Sequence, residues 1–490
     1  MKRRKLGFIK VVLLVSLVLN FIQCETQESL TKKRIKSVEQ GLLRGVYLKG
    51  TRPEKLSLFD RLQFYRVPGV SLAVMDGFQI EWARGYGTKN IAQAEPVDEN
   101  TLFQAGALSQ VLATLATLSL VDEGLIELDQ PVNTYLRRWK MPIYSVNRQR
   151  RLTIRDILTH SAGFYEIEFQ GYTPGDSLPT LVDILEGKSP ARNPKLYPVY
   201  PPGTQRVYSE AGFVLLQLLL EDVTGQDFAQ LVKERVIQPL HLANTTFECP
   251  LPPALQARAA QGYDRQGQPL PGGARIFPQQ AAAGLWTTPT DLLHLSLALI
   301  KMARGEERDV ISPLLIREML TPRLGLQAMA FLVEGSGDDL RFYLEGYNPG
   351  FSAFLVVYPS RGQGVAIMAN SDNGLYLSEE ILRAVAANYN WPHFQPEEKT
   401  PYRLPVEIYQ EYVGRYEVNP QYHLDVRYED YYLIIHPTGQ VPTRFYAESK
   451  STFFAVDPYI QIQFLRDRQG RVTGLVLRQK RTRVEAKKVS

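Results

Sequence analysis

Six histidines are the side chains best suited to hold a metal or move a proton near neutral pH: His160, His241, His294, His393, His423 and His436. No two of them stand at metal-ligand spacing. There is no HExxH helix and no cysteine cluster, so no zinc or other metal is expected. Gly187-Lys188-Ser189 has the ending of a phosphate loop, but Val182 occupies the place of its first glycine. No G-x-S-x-G elbow occurs. His160-Ser161 pairs a base with a hydroxyl, yet neighbours on a helix point about 100° apart. That His is read as structural, near a helix end. No cofactor is implied.

The elements around these residues read as mixed α and β. "VPGVSLAVMDGFQIEWARGYG" puts Val70, Leu72 and Val74 at alternate positions before Asp76-Gly77 and a second strand, a hairpin with an Asp-Gly turn. A helix through Leu108–Asp122 is apolar on nearly all sides, which predicts burial. "LTIRDILTHSAGF" predicts a short helix ended at Gly163. "YSEAGFVLLQLLLEDVTGQDFAQLVKERVIQPL" predicts two helices with Thr224-Gly225 between them. "FLVVYPSRGQGVAIMAN" is a second hairpin, followed by an amphipathic helix from Glu379 to Asn390. Strands at both ends of a helical middle predict an α+β unit whose terminal strands share one sheet.

Length asks for more than one core: 490 residues is too long for a single ordinary unit. A boundary is expected at "WPHFQPEEKTPYRLP", with four prolines and four charges in fifteen residues. Beyond it, 10 of the 26 tyrosines fall in the last 90 residues, among short strands separated by turns, the pattern of a small antiparallel barrel or sandwich. Those tyrosines are read as strand residues with one wet end rather than as a binding surface. The leader MKRRK followed by VVLLVSLVLNFI has the layout of a signal peptide, and Cys24 directly after it suggests lipidation as in a bacterial lipoprotein. The expected division is 1–24 signal peptide, 25–53 N-terminal linker or helix, 54–391 main domain, 392–402 linker and 403–490 small β domain.

The net charge of +5 comes from Lys2, Arg3, Arg4, Lys5 and Lys10; without them 51 bases face 51 acids. Charge therefore gives no reason to expect a nucleic-acid partner.

From about Glu54 to Trp391 the chain resembles the serine β-lactamase and penicillin-binding-protein superfamily, in its esterase-like branch. The resemblance is carried in order by "VPGVSLAVMDG", "EGLIELDQPVNTYL", "LTIRDILTHSAGF", "PPGTQRVYSEAGFVLL", "VTGQDF", "AAAGLWTTPTDLL" and "NPGFSAFLVVYP". It implies a β-lactamase/transpeptidase-like fold, an antiparallel sheet with flanking helices plus a helical subdomain, with the active site in a cleft between them. "YVGRYEV" to "GRVTGLVLRQ" is similar to a small β domain that some members carry.

The family's active helix opens with Ser-x-x-Lys, where i and i+3 share a face and the amine can activate the hydroxyl. Aligned on Phe103, Gly106 and "LVDEGLIELDQPV", the nucleophile slot falls on Ala107 and the lysine slot on Gln110. Tyr-x-Asn maps onto Tyr208-Ser209-Glu210, and the Lys-Thr-Gly or His-x-Gly motif onto Leu344-Glu345-Gly346. Only Tyr208 and Gly346 match. Ser109 as a displaced nucleophile would have Leu112 at i+3, which is no base.

The family's ligands carry a carboxylate. This cleft has lost cations at 110 and 344 and gained carboxylates at Glu210 and Glu345, so such a ligand is expected to be repelled by up to several kcal/mol at an effective dielectric of about 20. The favoured expectation is an exported pseudoenzyme in the periplasm or cell envelope, binding or scaffolding an envelope protein or a small-molecule or peptide ligand. Membrane association is expected only through Cys24. The alternative is a hydrolase of a small ester, amide or peptide with rearranged residues.

Overall fold

The computed structural model describes residues 27–479 and 482–489; the leader and Cys24 lie outside the described residues. The described chain divides into two compact units.

The first unit comprises residues 27–31 and 59–378. Its centre is a seven-stranded antiparallel sheet. The strands are β1 (Gly69–Asp76), β2 (Gln79–Asn90), β3 (Glu95–Pro96), β4 (Leu332–Glu334), β5 (Arg341–Asn348), β6 (Phe351–Tyr358) and β7 (Gln363–Ala369), in the order β3-β2-β1-β7-β6-β5-β4. The two ends of the domain meet where β1 pairs with β7, Val74 opposite Val365. Every residue of β6 is buried, which is why it reads as a continuous apolar run rather than an alternation. In the first hairpin Asp76 pairs with Gln79, so the turn residues are Gly77 and Phe78, not Asp76 and Gly77. Both have positive φ, 59° and 62°. Phe78 is held there by its N–H bond to the Gly362 carbonyl at 3.0 Å and by Arg304 stacked 4.3 Å over its ring.

Helix α1 (Ser109–Asp122) is buried at every position through Leu120, as its all-round apolar sequence predicts. Its interior hydroxyls are spent on its own carbonyls: Thr114 on Gln110 and Thr117 on Ala113, both at 2.7 Å. Helix α2 (Ile154–Leu158) is shorter than expected. It ends at Leu158, because His160 takes the left-handed conformation at φ 50°. The His160 N–H reaches the Ile157 carbonyl (3.1 Å) and the Ser161 N–H the Asp156 carbonyl (2.8 Å), so a histidine fills the place glycine usually takes after a helix. Gly163 serves a later turn. Helix α3 (Ala211–Thr224) ends at Gly225 as predicted. Helix α4 (Pro289–Arg304) is capped by Thr288 and packs across β1, β2 and β7.

The second unit comprises residues 32–58 with 379–489. Eight antiparallel strands close into a barrel: β8 (Gly414–Asn419), β9 (Tyr422–Glu429), β10 (Tyr432–Pro437), β11 (Thr443–Ala447), β12 (Thr452–Val456), β13 (Tyr459–Arg466), β14 (Val472–Gln479) and β15 (Thr482–Lys488). A closed barrel rather than a sandwich removes all sheet edges. A short helix, α5 (Val406–Tyr412), adds Tyr409 and Tyr412 to its core, and Tyr412 stacks 4.1 Å from Phe464. Their hydroxyls reach the backbone carbonyls of Tyr431 (2.8 Å) and Lys450 (2.6 Å). These core tyrosines are therefore packing residues with satisfied hydroxyls. Residues read as linkers also belong to this unit: Val46–Leu48 pairs in parallel with Glu397–Lys399.

Candidate active site and its hydrogen-bond network

The site is assembled at the N-terminus of α1. A 3-10 turn, Gly106–Leu108, leads into the helix, and its position is fixed from two sides. On one side the Ala105 N–H donates to the Leu285 carbonyl at 3.0 Å, and the Ser109 hydroxyl donates to the Gly106 carbonyl at 2.6 Å while accepting the Leu285 N–H at 3.0 Å. On the other side β5 lies so close that a Cβ on Gly346 would stand 1.9 Å from the Ala105 carbonyl oxygen. Ala107 is 5% exposed and Leu344 9%. Leu344 and Gly346 share one face of β5, and alternation sends Glu345 to the other.

The middle motif arrives just before α3. Tyr208 receives a hydrogen bond from the Gln110 amide nitrogen at 3.1 Å. Glu210 is buried, and its carboxylate accepts the Phe169 N–H at 2.7 Å. The predicted positions that come together directly are therefore Gln110 with Tyr208, and Gly346 with the turn carrying Ala107.

His160, which the sequence marks only as a structural residue near a helix end, also borders this site. Its Nε2 lies 3.0 Å from the Gln110 side-chain oxygen, its Nδ1 faces the Ser209 N–H at 3.5 Å, and its ring centroid is 4.6 Å from that of Tyr208. One assignment satisfies the chain: Ser209 N–H donates to Nδ1, Nε2–H to the Gln110 oxygen, and the Gln110 amide to Tyr208. Fifty positions separate Gln110 from His160, so no spacing rule links them. Burial, reinforced by the charge of Arg206, pulls the imidazole from its ordinary 6.5 down to about 3. A neutral imidazole, an amide and a methyl group then occupy this end of the cleft.

Ser109 does not replace the missing nucleophile. It is fully buried, and its hydroxyl is engaged both as donor and as acceptor. Ser109→Ala should cost about 1–3 kcal/mol by stranding the Leu285 N–H, measured by denaturant unfolding; no change in stability would rule out this structural assignment. A cavity of about 440 Å³ is walled by Gln104, Gly284, Trp286 and the 272–277 segment, and none of Ala107, Gln110, Tyr208, Leu344 or Gly346 lines it.

Known proteins of this architecture fit the geometry. The family model described as Beta-lactamase matches residues 57–388. A β-lactamase of Pseudomonas fluorescens is 26% identical over 362 residues, covering 66% of this chain and 94% of that protein. A penicillin-binding protein of Bacillus subtilis is 22% identical over 432 residues, covering 83% of this chain and 92% of that protein. Among solved structures, the octameric penicillin-binding protein homologue from Pyrococcus abyssi superposes with a TM-score of 0.60 at 19% identity, over 87% of this chain and 98% of that one, a likeness of fold. Set against the matching motif order and the shared sheet-and-helix architecture, the match over residues 57–388 places this chain in the β-lactamase family.

Proposed function

We propose that this protein is a catalytically inactive member of its family that works by binding or scaffolding at the bacterial cell envelope. The observation that carries the reading is the contact between Gln110, Tyr208 and His160 beside Ala107. Acyl transfer needs a nucleophile and a base of suitable pKa within hydrogen-bond reach. Position 107 offers a methyl group, position 110 an amide that does not titrate, and His160 is too weak a base to take a proton at neutral pH. The bacterial relatives and the leader sequence support export, with Cys24 as the proposed lipid-anchor residue. No helix among the described residues is long and apolar enough to cross a membrane.

The test is labelling with a fluorescent penicillin and turnover of a chromogenic ester, using protein lacking residues 1–24. The native protein should be silent, and Ala107→Ser/Gln110→Lys should label measurably, with circular dichroism matched between the two. Stoichiometric labelling or turnover by the native protein would overturn the reading. The first residue to mutate would then be Ser209, whose buried hydroxyl has no hydrogen-bond partner among the described residues.

A further inference from the structure

Residues Pro142 to Arg151 read PIYSVNRQRR, and residues Tyr197 to Gln205 read YPVYPPGTQ. Together they hold three arginines, three tyrosines and an isoleucine, with no Asp or Glu. Beyond the leader the chain balances 51 bases against 51 acids, so this is a local excess of positive charge. The fold brings the two stretches side by side. The ring of Tyr197 lies 5.7 Å from that of Tyr144 and 6.0 Å from that of Tyr165. A Cβ on Gly203 would stand 2.6 Å from the Arg150 guanidinium. Both stretches are tied down by their backbones. Asn147, 2% exposed, accepts the Tyr144 N–H at 2.6 Å and donates to the Pro142 carbonyl at 3.1 Å. The N–H groups of Val199 and Tyr200 share the Gly163 carbonyl, at 2.7 and 3.0 Å.

The side chains that this platform leaves outward are of two kinds. Ile143 is 59% exposed, Tyr197 42% and Tyr200 41%. Arg148 and Arg151 are exposed beside them, and among the described residues no carboxylate pairs with either. Arg150 is spent on the buried Asp156, through bonds of 2.9 and 2.8 Å. On adjoining segments Glu186 is paired with Lys195 and Asp176 with Arg192. Glu166, next to Tyr165, is exposed and sets one negative charge against the two arginines. This mixture matches the boundary of a bilayer with an anionic surface. Arginines meet lipid phosphates there, while tyrosine rings and an aliphatic tip enter the headgroup layer. A soluble polyanion would satisfy the arginines but leave Ile143 in water. We infer that the face formed by residues 142–151 and 197–205 docks on an anionic phospholipid surface. The inference rests on the envelope location proposed above, not on the loss of acyl transfer.

The test is co-sedimentation of protein lacking residues 1–24, so that no lipid anchor contributes. The vesicles are phosphatidylcholine alone and an equal mixture of phosphatidylcholine and phosphatidylglycerol. The mixed vesicles should be bound about ten-fold more tightly or better, and added salt should erode the difference. Arg148→Gln/Arg151→Gln should reduce binding to the phosphatidylcholine level. Ile143→Ser should weaken binding to mixed vesicles about five-fold and leave the salt dependence unchanged. All three residues are exposed, and circular dichroism checks that the variants fold. Equal binding of the two vesicle types, no binding at millimolar lipid, or full binding by either variant would overturn the inference. Soluble polyphosphate, bound as tightly as the mixed vesicles by native and Ile143→Ser protein alike, would overturn it in favour of a polyanion site. Fractionation of cells making the full chain tests the location separately. A chain absent from the envelope defeats that reading, whereas failed sedimentation of a chain found there defeats only the docking face.

Discussion

Gly346→Ala is expected to destabilise the first unit by about 3 kcal/mol, toward the upper end of overpacking costs. The added methyl would meet the Ala105 carbonyl oxygen at 1.9 Å. That oxygen is backbone and cannot swing aside as a flexible side chain could. It is also in use, because it accepts the Leu108 N–H at 3.2 Å, and the Ala105 N–H is held by Leu285. Relief therefore requires β5 to lift from the Gly106–Leu108 turn, or the turn to loosen from α1. Either movement disturbs the surroundings of Ala107. Denaturant unfolding of wild type and variant measures the cost, and an unchanged midpoint would show that the strand is not seated against this turn. Glycine here is required by close approach, since no positive φ is recorded at 346.

The same contact shows what could be read before the fold was known. Gly346 was placed by motif order, and the strands and helices around it by periodicity: the continuous apolar run of β6, the all-round apolar face of α1, and Gly225 after α3. These are local signals, and local signals survive in one sequence. Long-range pairings do not. The parallel pair Val46–Leu48 with Glu397–Lys399 joins segments far apart in the chain, each too short to carry a pattern. The sequence predicts the end of α2 at Gly163 because glycine is the usual left-handed residue after a helix, whereas here His160 takes that conformation.

Charge was harder still. Counting substitutions at 110, 210, 344 and 345 gave a cleft hostile to anions. Glu345 lies on the other strand face from Leu344, and the Glu210 carboxylate accepts the Phe169 N–H.

His160→Asn should flatten the acid side of the stability profile. In the folded protein His160 stays neutral until the pH falls to about 3, whereas in the unfolded chain it takes a proton below about 6.5. Below 6.5 the unfolded state therefore binds more protons, and this residue alone should lower the unfolding free energy by about 1.4 kcal/mol per pH unit down to about pH 3. Above 6.5 its contribution is complete and flat. Asparagine suits the test because it tolerates the left-handed conformation at φ 50° and does not titrate; its shorter amide stops near the Nδ1 position, so the Gln110 contact is lost equally at every pH and leaves the slope unaffected. The comparison is the difference between the two proteins in the transition of the first unit, measured from pH 8 to pH 4, because the barrel can unfold separately. The native transition should fall more steeply than the variant's below pH 6.5, and the curves should run parallel above it. Parallel curves throughout would mean that His160 titrates normally in the folded protein. The imidazole would then be a competent base beside Tyr208, and the inactive-enzyme reading would lose one of its supports.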